Sequence, residues 1–138
     1  MTPEERDAFL ERPLCAVVST LRADGAPSGV PVWYRWDGSR VLIWSDEDRA
    51  WVRNLLRDPR VAVTIAEHAE PYGAVLMRGA ATVASGRGEQ TFAEVRRICA
   101  RYVPAEQVEE TIAEYDSGNP HAIVTVEPDW IGGWTTPS

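Results

Sequence analysis

Residues 14–45 read LCAVVSTLRADGAPSGVPVWYRWDGSRVLIWS, and this stretch decides the fold. Leu14 to Leu21 is rich in branched residues, the composition of a strand. Asp24-Gly25 is a hairpin signal, because glycine tolerates the positive φ of tight hairpin turns. Gly29 to Trp36 reads as a second strand, with Val30, Val32, Tyr34 and Trp36 alternating against Pro31, Trp33 and Arg35. Pro31 has no N–H for a ladder. It therefore marks an edge, a bulge or a place where a ligand replaces a sheet neighbour. Asp37-Gly38 turns the chain again, and Arg40 to Ser45 is a third strand. Consecutive antiparallel strands joined by short turns predict a small closed or split barrel, not a doubly wound sheet.

The flanks complete the pattern. Thr2-Pro3-Glu4-Glu5 is a capping box with proline at the first helical position, and Arg12-Pro13 ends the short helix that follows. Asp46 to Arg57 predicts a helix stopped by Asp58-Pro59. Val61 to Glu67 and Ala74 to Ser85 predict two more strands, with Gly79 a bulge or close-approach point. Phe92, Val95, Cys99 and Tyr102 recur at helical spacing, and Val108, Ile112 and Tyr115 share one face of a further helix. His121 to Glu127 is the last strand, and a tail runs on from Pro128. Repeats and low-complexity tracts are absent, so 1–138 is expected to be a single domain.

Composition narrows the function. Lys+Arg 14 against Asp+Glu 21 leaves a net charge of −7, which argues against a general nucleic-acid or anionic-membrane surface. All 14 basic residues are arginine, which excludes a Schiff-base or P-loop lysine. Any anion site must use arginine, backbone N–H groups or hydroxyls. Cys15 and Cys99 lack metal or disulfide spacing and are expected in the core. The polar start and the lack of a long apolar run predict a cytoplasmic protein. His68 and His121 have no partner at ligand spacing and read as structural or solvated. With no acid–base, nucleophile or metal motif, an enzyme of this sequence would leave the hard chemistry to a cofactor.

Two local signals stand out. A strand ends at Ser45 where a helix opens, and Arg49 and Arg53 share a helix face. Helix N-termini attract anions, and an arginine–phosphate bond outweighs the helix dipole. On the other reading, Asp46, Glu47 and Asp48 charge the helix start and the arginines are solvated. The second signal is six Trp in a small chain, with Trp33, Trp36, Trp44 and Trp51 clustered. They fill a core or a dimer face, or they wall a planar ligand.

Several pieces then occur in order. They are Phe9-Leu10, Asp24-Gly25, Pro27 with Pro31-Val32-Trp33-Tyr34, Trp36-Asp37-Gly38, Asp48-Arg49-Ala50, Asn54-Leu55, Arg57 to Val61, and Ile123 to Pro128. Together they resemble the pyridoxamine 5′-phosphate oxidase-like split-barrel family, and within it the deazaflavin (coenzyme F420)-dependent reductases. The resemblance implies a mainly β protein with flanking helices, a six-stranded antiparallel split β-barrel working as a homodimer. It implies an oxidoreductase that moves a hydride between coenzyme F420 and a small conjugated or heteroaromatic substrate. An FMN-dependent enzyme, or a non-enzymatic flavin- or haem-binding module, is the alternative on the same barrel. The cofactor would lie between subunits, with Val30, Pro31, Val32 and Trp33 near its ring. Ser45, Arg49 and the helix they introduce would hold its phosphate end, Trp44, Trp51, Arg53 and Asn54 would be further cofactor contacts, and Met77, Arg78 and Gly79 would close the groove from the other subunit. Where the family commonly has a phosphate-binding lysine, this chain has Trp51, whose indole offers one donor and no charge. Either Arg53 compensates, Trp51 stacks on the ligand, or affinity is weak.

Overall fold

A computed structural model describes residues 1–137. Helix α1 (Pro3–Leu10) opens the chain. Strands β1 (Ala16–Leu21), β2 (Pro27–Val32), β3 (Tyr34–Trp36) and β4 (Val41–Asp46) follow. Then come α2 (Ala50–Arg57), β5 (Arg60–Glu67), β6 (Gly73–Gly86), α3 (Glu89–Cys99), a 3-10 turn leading into α4 (Val108–Tyr115), and β7 (His121–Thr135). The capping box forms as the sequence predicts: the Glu5 N–H donates to the Thr2 hydroxyl and the Thr2 N–H to the Glu5 carboxylate.

The strands form one antiparallel sheet of seven, ordered β2-β1-β5-β6-β7-β4-β3. β2 and β3 lie at opposite edges of that sheet, yet only Trp33 separates them in the chain. A single residue spans about 7 Å between its neighbours. The sheet must therefore curl until its edges meet at Trp33, and because those edges are not paired the barrel is split. The count of seven corrects the expected six. The predicted second strand holds its alternation across Trp33 but changes partner there, leaving β1 for β4.

Alternation builds two cores. Val41 and Ile43 of β4 and Ala122, Val124 and Val126 of β7 face the barrel interior, with Phe9 and Leu10 of α1 and Trp51, Val52 and Leu55 of α2. On the opposite face, Leu42 and Ile123 pack against Val95, Ile98 and Cys99 of α3 and Val108 and Ile112 of α4. β4 and β7 are thus covered on both sides, which is why their sequences read as continuous apolar runs.

Two boundaries and the placement of one side chain differ from expectation. Helix α2 starts at Ala50, not Asp46, because the Asp46 carboxylate accepts the Asp48 N–H (2.8 Å) and its carbonyl accepts the Arg49 N–H (3.1 Å), making a turn first. β7 runs to Thr135, so the predicted tail is a strand paired with β6. Cys15 is exposed, not in the core: Ala16, Val18 and Thr20 point inward, and Cys15 has the opposite parity. Cys99 is buried as expected. The bulge at Gly79 is present, as a register shift between Arg78 and Gly79. A Cβ there would lie 2.2 Å from the Glu127 carbonyl oxygen, so only glycine fits. No helix among the described residues is long and apolar enough to cross a membrane.

Candidate functional site

Trp33 marks the seam of the barrel. The Tyr102 ring stacks on its indole at 4.7 Å with planes 2° apart. Tyr102 is itself pinned: its hydroxyl accepts the Tyr34 N–H (3.1 Å) and donates to the Leu14 carbonyl (2.7 Å). It thereby satisfies an N–H that β3 could not pair across the seam. Trp44 lies beside Trp33 at 6.4 Å, and its indole N–H donates to Nδ1 of His121 (3.1 Å). Tyr115 meets both indoles edge-on, each at 6.3 Å.

The turn after β4 carries the charge. Asp46 accepts from the Ser117 hydroxyl, and the Glu47 N–H donates to the Pro120 carbonyl (3.1 Å), so the loop before β7 braces this turn. Asp46 is held below the usual carboxylate range, chiefly by the Ser117 hydroxyl. Asp48 pairs with Arg53 (2.7 Å). Arg49 is the N-cap residue of α2, is exposed, and has no ion-pair or hydrogen-bond partner for its guanidinium among the described residues. No side chain caps this helix start, and no acid stands in its first turn. The uncapped helix N-terminus and the Arg49 guanidinium favour an anion, against the carboxylates of Asp46, Glu47 and Asp48 just before them, and the Arg49 charge helps to lower the Asp46 carboxyl. Ser45 lies half-buried at the end of β4, opposite Ala122.

The other proposed ligand contacts are dispersed. Val30 and Val32 pack against the barrel core from β2, and Pro31 is exposed on the outer face opposite Val17. Arg78 is exposed on β6 over the Trp130 ring at 4.4 Å, and Gly79 occupies the bulge. Pro31 on β2 and Arg78 on β6 are separated by two intervening strands, β1 and β5, within one copy of the chain. Three residues face inward instead of toward a groove. Trp51 is 8% exposed and fills the barrel core with Met77. The Asn54 amide donates to the buried Thr20 hydroxyl (3.1 Å), while its carbonyl accepts from Arg57 (2.8 Å). Trp51 therefore serves packing, and Arg53 is taken by Asp48, which leaves Arg49.

His121 is buried, and burial pushes its pKa below the ordinary 6.5, opposed by the Asp116 carboxylate. Asp116 is clamped by Arg87 (2.9 and 2.6 Å), whose hydrogen bonds hold its carboxyl well below the usual range. His68 lies on an exposed loop. The sequence does not link Tyr102, Tyr115 and His121 to Trp33 and Trp44, since they come from distant elements with no local spacing to connect them. An open cavity of about 430 Å³ lies elsewhere, beside α1 and the β3–β4 turn. Of its charged lining, Arg35 pairs with Glu94, Asp37 with Arg40, and Asp7 with Arg6 and the Trp36 indole, while Arg101 donates to the Leu10 and Arg12 carbonyls and Glu11 has no ion pair among the described residues. No group of three metal-ligating side chains occurs among the described residues.

Fold and site together define a mainly β split barrel with a helical layer, a free arginine and an aromatic seam. The chain belongs to the pyridoxamine 5′-phosphate oxidase family, whose model matches residues 2–135. No curated protein matches it in sequence. An F420 reductase of known structure is 25% identical, with 91% of this chain and 94% of that one covered at a TM-score of 0.70. A conserved hypothetical protein of Mycobacterium tuberculosis is 18% identical over 100% of this chain and 90% of its own, at a TM-score of 0.77. The haem storage protein HutZ of Vibrio cholerae is 13% identical over 96% and 92%, at a TM-score of 0.72. The latter two share the fold alone.

Proposed function

We propose that this protein is an oxidoreductase that binds coenzyme F420 in a cleft between two copies of the barrel and transfers a hydride between it and a small conjugated or heteroaromatic substrate. Membership of a flavin-binding family and the likeness to an F420 reductase support the reading. The observation that carries it is Arg49, a free guanidinium at an uncapped helix start in a chain without lysine. The residues present suit the anionic end of such a cofactor. Arg49 would grip it, aided by the first-turn N–H groups of α2, while β2, an edge strand whose outer backbone groups have no sheet partner, would face the ring. The bound deazaflavin would supply the hydride chemistry. The protein would bind, orient and exclude water.

The homodimer is part of the proposal. Val17, Trp130 and Trp134 are 42%, 45% and 50% exposed, and Val17 shares the outer sheet face with Pro31. A second copy covering that face would remove these apolar groups from water and add its own β6 to the cleft.

Side-by-side titrations with coenzyme F420 and FMN test this. An arginine–phosphate bond is worth about 1.5–3 kcal/mol, so Arg49→Ala should raise the Kd for F420 about ten- to hundredfold. An unchanged Kd would remove the phosphate assignment. Tighter binding of FMN than of F420 would move the protein to the flavin-dependent alternative.

A further inference from the structure

The open cavity beside α1 and the β3–β4 turn, at about 430 Å³, is large enough for a small molecule. Its lining carries opposite charges that are left over after the protein has paired what it can. The carboxylates come from the end of α1. The Glu11 N–H donates to the Asp7 carbonyl (3.1 Å), so Asp7 and Glu11 stand one turn apart on one face. The bonds that Asp7 accepts from Arg6 and Trp36 all fall on Oδ1, and Oδ2 has none among the described residues. Glu11 is exposed, and its carboxylate has no partner among them.

The guanidinium groups come from β3 and from the segment after α3. Arg35 gives Nε and Nη2 to Glu94 (2.8 and 2.7 Å), and its Nη1 has no partner among the described residues. Arg101 gives Nη2 to the Leu10 and Arg12 carbonyls (3.3 and 2.9 Å) and lies over the Tyr34 ring at 4.9 Å. Its Nε is buried without a partner. Both arginines are thus anchored by other groups and do not swing across to neutralise Glu11. Its charge is nonetheless felt at Arg35, whose pKa is raised chiefly by the Glu94 hydrogen bonds and further by Asp37 and Glu11.

We infer that this cavity binds a small zwitterion of the amino-acid class, its ammonium meeting Glu11 and Asp7 and its carboxylate meeting Arg101 and Arg35. A lone cation or a lone anion answers only one of the two sets. A carboxylate is the planar partner that a guanidinium edge binds best, and an ammonium brings three donors to the two carboxylates. Trp36 and Gly38 complete the lining, and the indole N–H is already given to Asp7, which leaves apolar surface for an aliphatic side chain. The site lies at the opposite end of β4 from Arg49 and does not depend on the proposed cofactor.

The test is calorimetric titration of the full chain with L-norleucine and with its two half molecules, pentylamine and hexanoate, which lack the carboxylate and the ammonium. Each half loses one set of charge-assisted hydrogen bonds, so norleucine should bind about tenfold more tightly than either. Glu11→Gln keeps the shape of a side chain that has no structural partner and removes its charge. It should weaken norleucine and pentylamine about threefold or more and leave hexanoate no weaker. Absence of norleucine binding overturns the inference. So does equal affinity for norleucine and either half in the wild type, or a norleucine affinity that Glu11→Gln leaves unchanged.

Discussion

His121 is sealed from water at 3% exposure, with Nδ1 accepting from Trp44 and Nε2 without a hydrogen-bond partner, 3.8 Å from Asp116. Burial outweighs the attraction of Asp116, so the folded-state pKa lies below that of the unfolded chain. As pH falls, the unfolded chain takes up the proton first. This contribution to stability is therefore fully present above about pH 6.5 and declines below it. Urea unfolding at pH 8 and pH 5.5 should show a loss in wild type that is smaller in His121→Gln. Equal pH sensitivity of the two proteins would contradict it. Trp51 makes a different point at the same scale. Its indole is large and apolar, and burying such a side chain contributes about 1.5–3 kcal/mol. The core claims it before any ligand can. Asn54 is likewise bound up inside, in a bridge from α2 to Thr20 of β1.

At the scale of elements, the β6–β7 pair is the longest ladder in the molecule, running from Gly73 opposite Thr135 to Gly86 opposite His121. Gly79 lets the two strands pass through a register shift where the Glu127 carbonyl crowds its Cα. Gly79→Ala should cost about 1–3 kcal/mol in denaturant unfolding, through backbone displacement. A variant as stable as wild type would show that the bulge relaxes freely. The glycine was legible in the sequence as an interruption of a strand pattern. The extent of β7 was not, because Pro128 and two glycines read as a tail until β6 supplies a partner. The start of α2 was also misplaced, since three acids suit either a helical first turn or the Asx turn that Asp46 makes.

For the whole molecule, the proposed function depends on a second copy. The outer sheet face carries Val17, Trp130 and Trp134 in the open, with Arg78 stacked on Trp130. Sedimentation equilibrium at micromolar concentration should find a dimer. Trp130→Glu should shift it toward monomer and weaken F420 binding with it. A monomer that binds F420 as tightly as the dimer would separate the cleft from the interface.

The sequence by itself determined the mainly antiparallel architecture, the capping box, the Gly79 bulge and the isolation of arginine as the sole strong cation. Each is written within a few residues, as side-chain period, turn chemistry or composition. Tertiary structure alone decided that Trp51 and Met77 belong to the core, that Cys15 faces out, and that Trp33 splits one predicted strand into the two edges of a curled sheet. It also decided that Tyr102, Tyr115 and His121 gather around Trp33 and Trp44. Those outcomes turn on which distant element covers which face, and a side chain's local spacing is the same whether its neighbour is water, a helix or a ligand.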